Sequence, residues 1–321
     1  MGGDDQGPKI ASPTGGMRRQ DIWRVEYRAR PYLVDVSEAE LDTRFFEVLN
    51  NLLILTPAGQ IGMLKPQAGD ANFIALFTHL MEEYARRGRT FPAIRPDVRL
   101  PRPDIVKGAP GSAAIRGRKL KIAGSLFKFG KREHLEALLE RGRLRILAAG
   151  DYSDPSLSSA IRDDERSIIR HGLRSEVKAE VVKSRSGYKG PLELLGNLTV
   201  TTSAATNYYV TCFACSFEHR LFDDFNADAA LYIRNRMTFR RRLIRAVEAA
   251  LPGWTSWDQH VSYIDPFRPP KDVDVFFGKH LRFSNQREYR FVWWPPNATQ
   301  HLEPIFVELG PLLDIAEILL R

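Results

Sequence analysis

The chain has 321 residues, of which 43% are hydrophobic and 27% charged, and carries a formal net charge of +8 with a pI near 9.5. This is an ordinary globular composition, large enough for one big domain or two modest ones. No run of eighteen apolar residues occurs and no apolar h-region follows Met1, so neither a membrane-spanning helix nor a secretory signal is expected. Most of the basic excess lies beyond residue 110: the first 110 residues sum to +1 and the remainder to +7. That distribution favours anionic partners: nucleic acid, nucleotide phosphates or acidic protein. Two cysteines in the whole chain suit a reducing, cytoplasmic setting.

In chain order, Met1 to Gly16 is polar and glycine-rich and is expected to be a disordered leader. Residues 17–36 alternate weakly and predict one or two strands. From Ser37 a helix is expected, because Ser37 and Glu40 have the spacing of a capping box. "TPAGQIG" ends it. A second amphipathic helix is expected over 70–89, with Asp70 as N-cap and Gly88 as stop. Residues 90–117 are rich in proline and glycine and read as a linker. The expected organisation is therefore a leader (1–16), an N-terminal segment (17–89), a linker (90–117) and a larger domain (118–321).

Within the larger domain, 119–130 reads as a strand. Residues 131–142 read as a helix with a Leu135, Leu138, Leu139 stripe closed by Gly142, and "RLRILA" as a strand. Residues 149–159 predict a loop, 159–183 a charged helix, and "SRSGYKGPLELLG" a loop. "NLTVTTSAATNYYVTCFACS" predicts one or two strands rich in Thr, Tyr and Val. A helix is expected from about 236, a strand within 254–265, a helix or strand at "VDVFFGKHLRF", and a clear strand at "NQREYRFVWWP". "EPIFVELGPLLDIAEILL" predicts a strand followed by a helix. No regular βαβ rhythm appears. The expected fold class is α+β: a mixed, mainly antiparallel sheet, open to being split, with flanking helices and a small helical or α+β segment before it.

Several chemistries lack their motifs. There is no G-x-G-x-x-G, Walker A, G-x-S-x-G or H-E-x-x-H sequence, and the seven histidines are scattered. Cys212 and Cys215 lie an odd distance apart in a β-prone run, so they are expected on opposite faces as two buried thiols. The acid pairs Asp163-Asp164 and Asp223-Asp224 permit a metal-dependent nuclease as an alternative. Adjacent acids in polar stretches are more commonly caps or solvated surface, so no metal ligand is assigned.

Five segments taken in order carry a resemblance: "LFKFGKREHLEALLERGRLRI", "YSDP", "YYVTCFACS", "HVSYID" and "FFGKHLRFSNQREYRFVW". Together, over residues 124–294, the chain resembles a widespread bacterial domain family with a Lys-Phe strand, an Asn-Asp-Pro loop, a Cys-Phe-Ser strand and a closing Glu-Tyr-Arg strand. Here Ser153-Asp154-Pro155 replaces the loop, and Ala214 and Cys215 separate Cys212-Phe213 from Ser216. The same order is similar to ADP-ribosyltransferases, which have a split sheet, a first-strand Arg or His, a Ser-Thr-Ser middle strand and a late strand carrying Gln-x-Glu. Gln286-Arg287-Glu288 matches that last motif, and Lys128 stands at the first-strand cation.

The resemblance implies an ADP-ribosyltransferase-like enzyme that uses NAD to modify a protein or nucleic acid, as a toxin or defence effector. Glu288 would be the catalytic acid and Gln286 the residue orienting the nucleophile. Lys128 would be a phosphate ligand, and Thr211 and Ser216 pocket residues. The chemistry is coherent, because breaking a nicotinamide–ribose bond builds positive charge on the sugar and a carboxylate stabilises it. On a strand, Gln286 and Glu288 would share a face. The plainer alternative pairs Glu288 with Arg290 or Arg282. A second functional alternative is nucleic-acid binding through Arg234, Arg241 and Arg245, set on one face of a helix whose core side is Phe239, Leu243, Ile244 and Val247.

Overall fold

The computed structural model describes residues 17–56, 58–63, 72–94, 98, 100–104, 115, 118, 120–183 and 187–321. The expected leader, the Asp70 cap and much of the 90–117 segment lie outside the described residues.

The chain begins with a helix where strands were expected. Helix α1 (Arg19–Ala29) carries Trp23 and Tyr27 at i, i+4 on one face, with Asp21 in its first turn and Arg28 in its last, both favourable to the helix dipole. Its buried Tyr27 hydroxyl donates to Glu83 at 2.6 Å, a tertiary bond invisible to the weak local alternation. Helix α2 (Glu38–Leu52) starts at the expected capping box: the Glu40 amide donates to Ser37 Oγ and the Ser37 amide to Glu40 Oε2. A short hairpin, β1 (Leu53–Leu55) and β2 (Ile61–Met63), follows. Helix α3 (Phe73–Arg86) is capped by Asn72, whose side chain accepts from the Ala75 amide, and the chain leaves it through Gly88 at φ 64°. These helices share one apolar core with Leu173, Phe267 and Leu281 of the later chain. Arg44 of α2 is also fixed to Asp265 at 2.6 and 2.7 Å.

The remaining elements are β3 (Leu126–Gly130), α4 (Arg132–Arg141), β4 (Arg143–Ala148), β5 (Ser167–Gly172), β6 (Ala179–Lys183), β7 (Tyr188–Leu192), β8 (Leu198–Ser203) and β9 (Tyr209–Ala214). They continue with α5 (Arg220–Asp224), β10 (Ala229–Ile233), α6 (Arg236–Ala250), β11 (Thr255–His260), β12 (Ser262–Ile264), β13 (Gly278–His280), β14 (Glu288–Trp294), β15 (Ile305–Glu308) and β16 (Ala316–Leu320). Gly142 closes α4 at φ 74°, and a side chain there would collide with the Gly310 backbone, so glycine is required twice over.

The main sheet runs β11-β14-β9-β3-β10-β16 and is antiparallel throughout, in an α+β fold. It forks at β9. Strand β3 meets β9 only at Phe127 opposite Ala214, while β4 meets it at Leu147–Val210 and Ala148–Tyr209 and carries β15 on its far side. Between these two junctions, Thr211 to Phe213 have no ladder partner on that edge among the described residues.

Three other expectations fail locally. Residues 159–183 form loop followed by β5 and β6 rather than a helix, and 188–192 form β7 rather than loop. The Ile168-Ile169 doublet in β5 was the missed β signal, pairing with Thr201 and Thr202 of β8. Residues 316–320 form the edge strand β16 instead of a helix, because Ala316 to Leu320 complete the ladder of β10 and tertiary pairing overrides helix propensity.

The faces of the sheet differ. Leu135 and Leu138 of α4 and Phe239, Leu243 and Val247 of α6 pack on one face against Tyr289, Phe291 and Trp293 of β14. The opposite face carries Glu288, Arg290 and Val292, with Val210, Tyr208 and Phe277 packed around Val292.

Candidate active site

The stretch "NQREY" does not run straight into its strand. A 3-10 turn over Leu281–Gln286 leads to Arg287 at φ 44°, ψ 56°, and β14 begins only at Glu288. Gln286 and Glu288 are therefore not alternate residues of one strand, as the spacing implied. The left-handed residue between them, a conformation uncommon outside glycine, turns the chain so that both side chains reach the same space.

That space is a cavity of about 330 Å³ on the Glu288 face of the sheet, at the fork beside β3. Phe127, Phe129, Phe213 and Phe225 supply apolar wall. Lys128, Tyr152, Glu165, Cys212, Lys279, Gln286 and Glu288 are among its polar groups, with Lys131 and Asn226 also on the wall. Lys128 Nζ sits in the fork, 3.2 Å from the Cys212 carbonyl oxygen and 3.4 Å from Thr211 Oγ1, and 4.7 Å from the centre of the Phe213 ring. Its ammonium thus satisfies a carbonyl that the split leaves without a strand partner. Burial lowers the Lys128 pKa below the ordinary lysine value, against the opposing pull of Cys212 and Glu288.

Of the five residues expected at the nucleotide site, Lys128, Gln286 and Glu288 converge here. Thr211 lies behind Lys128, buried and joined to it. Ser216 is buried but does not line the cavity, and its Oγ has no hydrogen-bond partner among the described residues.

Beneath the cavity lies a closed ring of four charges. Lys279 Nζ is 3.0 Å from Glu288 Oε2 and 3.1 Å from Glu165 Oε1. Arg290 Nε is 2.8 Å from Glu288 Oε1, and Arg290 Nη2 is 2.6 Å from Glu165 Oε2, the last a charge contact outside hydrogen-bond alignment. The four side chains are between 0% and 5% exposed. Formal charges alternate around the ring and cancel. Burial alone would raise the Glu288 pKa, but Arg290 and Lys279, with hydrogen bonds from Cys212 and Arg290, outweigh it and hold the carboxyl well below the usual carboxylate range. For Lys279, burial is likewise outweighed by Glu165 and Glu288, which keep it charged. The Cys212 thiol is pushed up, first by burial and then by Glu288, which makes it a poor nucleophile.

Backbone bonds complete the frame. The Glu288 amide donates to the Tyr263 hydroxyl at 2.8 Å, and Tyr208 donates to the Glu165 carbonyl. Gln286 Nε2 donates to the Ala160 carbonyl at 2.7 Å, with Lys279 Nζ 3.5 Å from its Oε1. Asp163, near the ring and 3.6 Å from Arg282, has its pKa raised to about 6, chiefly by burial and secondarily by Glu165.

Sequence reasoning missed Lys279 and Glu165. Lys279 left a signal, a lone cation inside the apolar run "VDVFFGKHL". Glu165 left none: it is the last acid of the polar "DDER", in a segment read as helical. The expected partner Arg290 does pair with Glu288, whereas Arg282 turns to Asp163.

The arginine helix faces elsewhere. Arg234 precedes the N-cap Asn235 and pairs with Glu317 at 3.4 Å, so it does not join a helix face with Arg241 and Arg245. The latter two are exposed on α6, across the sheet from Glu288, and have no acidic partner among the described residues. Of the paired acids, Asp164 accepts from the Arg166 amide and Asp223 from Arg102. Asp224 accepts from Arg220 and Asn285. No group of three or more His, Cys, Asp or Glu placed to hold a metal occurs among the described residues. Nor does any described helix have the length and apolar character to cross a membrane.

No family model, no curated protein and no solved structure matches this chain.

Proposed function

We propose that the chain is an ADP-ribosyltransferase-like enzyme that cleaves the nicotinamide–ribose bond of NAD and transfers ADP-ribose to a protein or nucleic-acid acceptor. One observation carries this reading. A carboxylate paired with both Lys279 and Arg290 lines a partly aromatic cavity together with Gln286 and Lys128. Burying four charges is seldom the most stable way to fill a core, since apolar side chains of similar volume commonly do as well or better. A charge ring at the floor of a cavity therefore has a functional rationale.

In this reaction the C1′–N bond breaks and its electron pair leaves with nicotinamide. The ribose acquires oxocarbenium character, which the Glu288 carboxylate stabilises. Because Glu288 stays ionised, its role is electrostatic and positional rather than proton transfer. Gln286, held by Ala160, aligns the nucleophile, whose proton passes to solvent as the new bond forms. Lys128 offers a cation to the diphosphate as a point charge.

The test is nicotinamide release from NAD. Glu288→Gln, which keeps shape and removes charge, should lower the rate by about 100-fold or more. Because Glu288 is also structural, Lys128→Met is assayed beside it, and both proteins are checked by thermal unfolding. Folded variants that match wild type, or a wild type that releases no nicotinamide with any acceptor, would overturn the reading.

Exposed Arg241 and Arg245 favour a second reading, a phosphate-backbone contact on the far face. It requires binding that weakens steeply with salt and with replacement of both by Ala.

A further inference from the structure

A second cavity, of about 550 Å³, adjoins the first, and among the described residues Lys128 is the side chain the two have in common. It lies between α4 and the β4–β15 ladder. Its wall includes Arg141, Arg143, Arg145 and Phe306.

The local sequence explains the grouping. "RGRLRI" ends α4 at Gly142 and starts β4, so Arg143 and Arg145 alternate outward while Leu144 and Ile146 enter the core. Phe306 stands opposite Arg145 in the ladder and is 54% exposed, unusual for a phenylalanine. The Arg143 guanidinium lies 4.5 Å from the centre of the Phe306 ring, which holds the cation at the wall without using its hydrogen-bond donors.

Charge balance decides what this cavity suits. Several arginines elsewhere are neutralised by acids, Arg132 by Glu136, Arg240 by Asp258, Arg242 by Asp314 and Arg118 by Glu317, whereas among the described residues Arg241 and Arg245 on α6 are not. Arg141, Arg143 and Arg145 have no ion pair among the described residues. Glu308, the cross-strand neighbour of Arg143, makes none with it. The acid on the cavity wall, Glu133, is 3.7 Å from His134. Four cations and one acid around a partly aromatic wall match a ligand with two or more negative charges and a flat ring. The volume falls in the usual range for small-molecule sites.

We propose that this cavity is a nucleoside-diphosphate site, with Arg143, Arg145 and Lys128 receiving the phosphates and Phe306 the base. The site stands independently of whether Glu288 acts on NAD. It is tested by isothermal titration of the full chain with ADP, adenosine and inorganic pyrophosphate. ADP is expected to bind, pyrophosphate more weakly, and adenosine at least tenfold more weakly than ADP. Arg143→Ala with Arg145→Ala should lower ADP affinity at least about tenfold with thermal unfolding unchanged. A charge-matched control, Arg18→Ala with Arg19→Ala at the start of α1, should leave it intact. Phe306→Ala should weaken ADP while sparing pyrophosphate. The proposal is overturned if ADP does not bind, if adenosine binds as tightly as ADP, or if the control pair loses as much affinity as the Arg143–Arg145 pair. Absent ADP binding in a protein that still releases nicotinamide from NAD would remove this site alone.

Discussion

Strand β14 shows two ways to bury one segment. On the α6 side, Tyr289, Phe291 and Trp293 fill an apolar layer. On the other side, Glu288 and Arg290 enter a ring of charges at the floor of a cavity. Both faces are almost fully buried, but the free energy behaves differently. The aromatic face gains from area removed from water, each ring contributing about 2–3 kcal/mol. The charged face spends desolvation energy that mutual attraction roughly offsets. One face stabilises the fold; the other contributes little net stability.

Substitutions can separate these roles. Arg290→Ala strands two buried carboxylates with only Lys279 between them, and is expected to cost about 3–5 kcal/mol in denaturant unfolding. Phe291→Ala should cost a similar 3–5 kcal/mol through a cavity, while the folded fraction retains any NAD cleavage. The sharper contrast is the joint replacement Glu165→Leu, Lys279→Met, Glu288→Leu and Arg290→Met. Stability should stay within about 1–2 kcal/mol of wild type or rise, while nicotinamide release is lost. A collapse in stability there would mean that the ring is a structural staple.

A smaller effect comes from pH. Asp163 has its folded-state pKa raised to about 6 from an ordinary value of 3.8, so the native state binds the extra proton in that interval. Stability from this group is full below pH 3.8 and is lost as pH rises through about 6. Asp163→Asn should therefore match wild type below pH 4 and exceed it by up to about 3 kcal/mol above pH 6, read as a growing gap in unfolding midpoint. Glu288 has the opposite sign. Its depressed pKa gives stability that is present above the ordinary carboxylate value and lost as pH falls through the folded-state pKa.

Much of the frame was legible because it is local. The Ser37–Glu40 box, the Gly142 stop and the alternation of β14 each act over a few residues. What was illegible is tertiary. Helix α1 is fixed by Tyr27 reaching Glu83, and β16 is a strand because β10 is its neighbour. The site follows the same division. Glu288 and Arg290, two residues apart, could be paired from sequence. Glu165 comes from a loop 123 residues earlier and reaches them only through the fold. The Arg287 kink that joins Gln286 to Glu288 had no local signal, since arginine carries no preference for φ 44°.

The most direct measurement is a structure of the protein with an uncleavable NAD analogue. The ribose 2′-hydroxyl is expected about 3 Å from the Glu288 carboxylate, with the nicotinamide in the cavity beside Gln286. A saturated complex that leaves this cavity empty, or places the ribose away from Glu288, would contradict the proposed function.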